Sequence, residues 1–151
     1  MAILLAWLGN TDLRASEAQD LAEQGPILGA AKAMSFEAVH LMSDHPAPKS
    51  RAYVSWLEEA ANTPVTLHPA KLTSPTSHEE IYRVAIQVIQ SVRSAHPKAD
   101  LTFHLSPGTP AMAAIWLLLA KTHYPARLIE SSREQGVKEV SIPFELSAEF
   151  V

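Results

Sequence analysis

Cysteine is absent from the 151 residues, which excludes a disulfide framework and any thiolate metal site and fits a reducing compartment. Glycine is sparse, at five residues. None of the five forms a dinucleotide-type G-x-G-x-x-G or a G-x-x-x-x-G-K-[ST] phosphate loop, so no motif for NAD binding or ATP hydrolysis is present. A G-x-S-x-G nucleophile elbow is also missing, and Ser106 has no identifiable base. The seven histidines include no H-E-x-x-H pair. His40 and His104 fall in expected strands, where structural hydrogen bonding is the ordinary role, so neither a metal nor another cofactor is expected. No apolar run is long enough to cross a bilayer. The opening stretch from Ala2 to Leu8 lacks a basic leader, which excludes a signal peptide and points to a cytoplasmic protein without membrane contact. Positive charge is in deficit, with 12 Lys and Arg against 16 Asp and Glu and a net charge of −4. That balance argues against a surface that coats nucleic acid and against direct DNA binding. A small anion remains open to local cations such as Arg14, Lys32, Lys49 and Arg51, although each is ordinarily a solvated surface charge.

What is present is a 47% hydrophobic chain, long enough for one domain with a sizeable core and too short for two. The run Ala2 to Leu8 is continuous and apolar, as expected of a strand covered on both faces. Gly9-Asn10-Thr11-Asp12 reads as the loop that ends it. A loop with some helical turn is expected over Ala15 to Glu23, then a helix through Ile27, Leu28, Ala31 and Met34. A second strand is expected over Glu37 to Met42, a helix over Lys49 to Ala61, and a third strand over Pro64 to Pro69. Ser77 caps the next helix, Glu80 three residues later completes a capping box, and Ile81, Val84, Ala85, Val88 and Ile89 share one face. Leu101 to Leu105 is the fourth strand. An almost wholly apolar helix runs from Pro110 to about His123, with Trp116 and Met112 expected in the core, whereas Glu58 and Glu59 read as a solvated face. Ala126 to Ile129 and Val137 to Ile142 form two last strands, and the short link between them requires an antiparallel hairpin. The pattern specifies an α/β fold, a Rossmann-like open and mainly parallel sheet of about six strands with helices on both faces.

The segment Ser106-Pro107-Gly108-Thr109-Pro110-Ala111-Met112 follows the fourth strand and carries the clearest chemistry. Thr109 is a good N-cap, and Pro110 fits the first helical position, where its missing N–H costs nothing. Gly108 suits positive φ or close approach of a ligand, and the N–H groups of Ala111 and Met112 sit near the positive end of the helix dipole. A 3-2-1-4 strand order places this turn beside Gly9 to Asp12 at the switch point of the sheet, where open α/β sheets bind ligands. Asn10, Thr11, Ser106 and Thr109 then offer uncharged donors and acceptors for ribose, base or phosphate, with turn formation and helix capping as their ordinary alternative.

The chain resembles a CARF domain, the CRISPR-associated Rossmann fold. The likeness rests on Leu8-Gly9-Asn10-Thr11-Asp12, Gly25-Pro26-Ile27-Leu28, the 106–112 segment and the closing Ile142-Pro143-Phe144-Glu145-Leu146. It implies a homodimer that senses cyclic oligoadenylate or a related small RNA-derived nucleotide. Carried over by position, the contacts are Asn10, Thr11 and Asp12, then Ser106, Gly108 and Thr109. It further implies that residues 1–151 are one sensory domain of a larger protein with a C-terminal effector. That effector is expected to be an AAA+ sigma-54-dependent transcriptional activator, as in RtcR-like regulators, or a nuclease. A ring nuclease working by orientation from Thr11, Ser106 and the helix N-terminus is the enzymatic alternative, for which no general base is evident. A dimerisation domain with a vestigial crevice is the third.

Overall fold

The structure, a computed structural model, describes residues 1–18 and 24–143. The chain alternates as β1 (Ala2–Trp7), α1 (Asn10–Ala18), α2 (Gly25–Ala33), β2 (Ala38–Ser43), α3 (Ala47–Ala61), β3 (Val65–Pro69), α4 (His78–Ala95), β4 (Asp100–His104), α5 (Pro110–Ala120), β5 (Arg127–Ser132) and β6 (Gly136–Glu139). One six-stranded sheet has the order β3-β2-β1-β4-β5-β6. All pairs are parallel except β5 with β6, which form the expected antiparallel hairpin. This is the Rossmann-like α/β architecture that the alternation specified.

The continuous apolar run of β1 has a direct structural counterpart. Successive strand side chains point to opposite faces, and Ile3, Leu5 and Trp7 join one core while Leu4, Ala6 and Leu8 join the other. The first core gathers Ile81, Ala85, Val88 and Ile89 of α4 with Met112, Ile115, Trp116 and Leu119 of α5. The second gathers Leu13, Ile27, Leu28, Tyr53 and Leu57 from α1, α2 and α3. Trp116 is fully buried and stacks on Phe103 with ring centroids 4.4 Å apart, so it is a core anchor as expected. Among the described residues no helix is long and apolar enough to cross a membrane.

Four sequence expectations need correction. Gly9 to Asp12 is not a loop: α1 already begins at Asn10, so the link from β1 is only Leu8 and Gly9. The helix is held there by Asp12, whose Oδ2 accepts the Gly9 N–H at 3.2 Å, the reciprocal arm of a capping box. Ser77 does cap α4 by accepting the Glu80 N–H. The Glu80 carboxylate, however, accepts from the Thr73 N–H and hydroxyl, each at 2.9 Å, because that loop offers it two donors at once. The helix from Pro110 ends at Ala120, where Lys121 and Thr122 enter a turn. The last strand is confined to Gly136–Glu139, although the Val140 N–H still bonds to the Leu128 carbonyl. Residues 144–146 of the closing motif and most of the 15–23 stretch beyond Ala18 lie outside the described residues.

Candidate functional site

The turns after β1 and β4 meet. A Cβ built on Gly9 would lie 2.8 Å from the Gly108 nitrogen, so the two backbones are in contact and only glycine fits. Gly108 has φ +89°, the left-handed conformation the turn reading anticipated. Around this contact lies a crevice of about 440 Å³ lined by Asn10, Thr11, Asp12, Ser106, Gly108, Thr109 and Met112, together with Arg14, Asp44 and His45. It sits outside the carboxyl ends of β1 and β4, where the chain winds outward in opposite directions, the usual ligand position in open α/β sheets.

Two helix N-termini open onto this crevice. The geometry of α5 leaves the Ala111 N–H without an intrahelical acceptor, although Ala111 itself is buried in the core and does not line the crevice, and that of α1 does the same for the Asn10 and Thr11 N–H groups. Their aligned peptide dipoles favour a bound anion. Arg14, one turn into α1, is exposed and donates to the Thr11 hydroxyl at 3.4 Å.

The side chains expected to touch ligand divide into two groups. Asn10 and Thr11 are exposed on the crevice wall. The others are held by the protein itself. Thr109 accepts the Met112 N–H at 3.3 Å and donates to the Pro75 carbonyl at 2.8 Å, so its hydroxyl proton is committed to tying the β3–α4 loop to α5. Met112 is buried, and its sulfur accepts the Thr109 N–H at 3.3 Å. Ser106 accepts the Ser131 N–H at 2.6 Å and donates to the Ser131 carbonyl at 3.2 Å, which extends the join between β4 and β5 past the last strand pair. Asp12 is fully buried, and its Oδ1 accepts the Ile27 N–H at 3.0 Å. It therefore caps α2, whose own cap position, Gln24, makes no side-chain capping bond. Burial raises the Asp12 carboxyl to about 7, against the lowering effect of its backbone donors Ile27 and Gly9.

Two wall residues escaped the sequence reading. Asp44 and His45 follow β2, and His45 Nε2 donates to the Leu8 carbonyl at 3.0 Å, bracing the β1 turn from its other side. Their composition is that of any turn. The available signal was topological, because β2 flanks β1 in a 3-2-1-4 sheet and its carboxyl end shares the same rim. Among the described residues no three or more His, Cys, Asp or Glu side chains are grouped to hold a metal ion.

No protein-family model matches the sequence, and no curated protein does. Solved structures do match the fold. Csm6 of Enterococcus italicus, bound to cyclic hexa-2'-fluoro-hexa-dAMP, superposes with TM-score 0.79 at 16% identity over 94% of this chain and 41% of that one. Can2 of Sulfobacillus thermosulfidooxidans, in complex with cyclic tetra-adenylate, gives TM-score 0.62 at 15% identity over 91% of this chain and 34% of that one. A type III CRISPR defence DNA nuclease activated by cyclic oligoadenylate gives TM-score 0.55 at 20% identity over 95% of this chain and 22% of that one. The chain thus spans well under half the length of each of these structures. Its sheet order and its hairpin, together with these likenesses, show that it shares the Rossmann-like α/β fold of these structures.

Proposed function

We propose that this chain is a ligand-sensing domain that binds cyclic oligoadenylate, or a related RNA-derived nucleotide, in the crevice between the β1 and β4 turns. The observation that carries the reading is the convergence of the α1 and α5 N-termini on one cavity through the Gly9–Gly108 backbone contact. Two positive helix ends and exposed Asn10, Thr11 and Arg14 suit phosphate and ribose recognition, because they turn backbone and side-chain donors toward the ligand, with Asp44 the acceptor on the same wall. Two proteins of the same fold are respectively in complex with cyclic tetra-adenylate and activated by cyclic oligoadenylate. The ligand sits across the two-fold axis of a homodimer, and its occupancy favours one subunit arrangement that is passed to an effector.

Isothermal titration calorimetry with cyclic tetra-adenylate, cyclic hexa-adenylate and RNA fragments ending in a cyclic phosphate tests this. Saturable binding of at least one of them is expected, and no heat from any of them overturns the proposal. The domain does no chemistry. Asp12 is buried on two backbone donors and His45 Nε2 is committed to a carbonyl, so neither is poised as a general base. A labelled ring is accordingly recovered intact after prolonged incubation.

Output through a sigma-54-dependent transcriptional activator is the first reading of the effector. A nuclease effector is the second, and the likeness to a nuclease activated by cyclic oligoadenylate speaks for it. The coding sequence that follows the codon for Val151 decides between them.

A further inference from the structure

A second and larger crevice, of about 730 Å³, lies between α2 and the β5–β6 hairpin. It is lined by Gly25, Gly29 and Ala33 on one side and by Ser131, Ser132 and Val137 on the other, and it shares Thr11 and Pro26 with the first crevice. Small-molecule sites have this size and this makeup, a mainly apolar slot with a few placed polar groups.

Three features make it more than a gap in packing. A Cβ built on Gly29 meets nothing within 4 Å, so the helix wall there is flat backbone facing open space. The opposite wall carries a hydroxyl that the protein holds in place: Ser131 Oγ lies 2.7 Å from Nε2 of His104 and donates to the Pro26 carbonyl at 3.5 Å, which leaves it a lone pair with which to accept from a ligand. That histidine is fully buried in β4, and its Nδ1 has no hydrogen-bond partner among the described residues. Burying an imidazole with half its polar capacity unmet is unfavourable, and the bond it does make fixes a serine on the slot wall. Ser131 also exchanges two hydrogen bonds with Ser106 of the first crevice, which links the two cavities through the protein as well as through the open space they share.

We propose that this slot takes a purine base of the same ligand whose phosphates lie at the α1 and α5 N-termini, with the ring flat against Gly29 and its edge read by Ser131. The inference rests on the nucleotide-sensing reading above. A flat heteroaromatic ring fits because it gains dispersion contact with a backbone wall that has no side chain, while its polar edge finds a hydroxyl already oriented.

The test fills the slot without touching the first crevice. Gly29→Leu projects a side chain into open space, and leucine is the better helix former, so the variant folds with an unchanged or higher thermal midpoint. Gly29→Ala is the control that leaves most of the slot open. With cyclic tetra- and hexa-adenylate, Gly29→Ala binds within about twofold of the wild type and Gly29→Leu at least about tenfold more weakly, a loss on the order of one well-placed contact. Equal affinity of wild type and Gly29→Leu overturns the slot and leaves the sensing function standing. A wild type that binds no ring overturns the sensing function instead, and adenosine 5'-monophosphate then decides the slot by amide chemical shifts. Saturable shifts at Gly29 and Gly136 in the wild type, absent in Gly29→Leu, uphold it; their absence in the wild type overturns it.

Discussion

At the scale of single residues, the turn after β4 depends on a position that tolerates no side chain. A Cβ on Gly108 would lie 2.5 Å from the Met112 sulfur and 3.3 Å from Trp7 Cβ, in a left-handed backbone conformation. Gly108→Ala therefore combines conformational strain of about 1–2 kcal/mol with a steric conflict. Gly136→Ala, at φ +69° with open space around it, meets the strain alone. Urea unfolding should place Gly108→Ala below Gly136→Ala, and reversal of that order removes the packing argument. Two buried titratable groups act in opposite directions on the pH profile. Burial raises Asp12 to about 7, so the folded state holds that proton more tightly than the unfolded chain; the stability it contributes is present in acid and is lost as pH rises from about 4 through 7. Burial lowers His104 to about 3, so its contribution is present above 6.5 and is lost as pH falls toward 3. His104→Gln removes the second effect. Between pH 6 and 4 its stability relative to wild type should improve by roughly 1.4 kcal/mol per pH unit, measured as the difference in urea midpoints. A pH-independent difference shows that His104 is not neutral in the fold.

At the scale of elements, Thr109 joins two parts of the chain that are 34 residues apart, capping α5 while bonding to the Pro75 carbonyl. Thr109→Ala should cost about 1–2 kcal/mol for the lost cap, with Thr109→Ser restoring most of it in thermal unfolding. A serine variant as weak as alanine would assign the loss to the methyl group. The α5 cap was legible from the sequence because its chemistry is local: Thr, Pro and an apolar run within four residues. The strands were legible for a related reason, since a run such as Ile3 to Leu8 can be satisfied only with helices on both faces. The start of α1 was not, because Gly-Asn-Thr-Asp is turn composition, and what makes it helical is the Asp12 carboxylate bracketing Gly9 and Ile27, a contact spanning 15 positions. The slot beside Gly29 left no sequence signal for a comparable reason. Gly29 and Ala33 carry no mark within the helix pattern, and the cavity arises from how the hairpin stands opposite α2.

At the scale of the whole molecule, the sheet brings the expected contacts other than the buried Ala111 to one rim, but a single copy supplies that rim with little positive charge. Arg14 is the one Lys or Arg among the described residues lining the smaller crevice, whereas a cyclic tetra-adenylate brings four phosphates. Two copies related by a two-fold axis double both the helix ends and the arginines facing one ring, and closed two-fold pairing buries the same patch on each subunit. The apolar outer side of α5 is suited to that patch. The helix is apolar almost throughout, yet Ala114 and Leu118 face outward, with Leu118 43% exposed; a helix of that composition is normally covered on all sides. Leu118→Glu places like charges opposite one another in such a dimer while leaving each subunit's core intact. Sedimentation velocity at micromolar concentration should show a wild-type dimer and a Leu118→Glu monomer with an unchanged thermal midpoint. Ring affinity should fall at least about tenfold in the monomer. A wild type that sediments as a monomer and binds one ring per chain would separate sensing from dimerisation and return α5's outer face to the solvent.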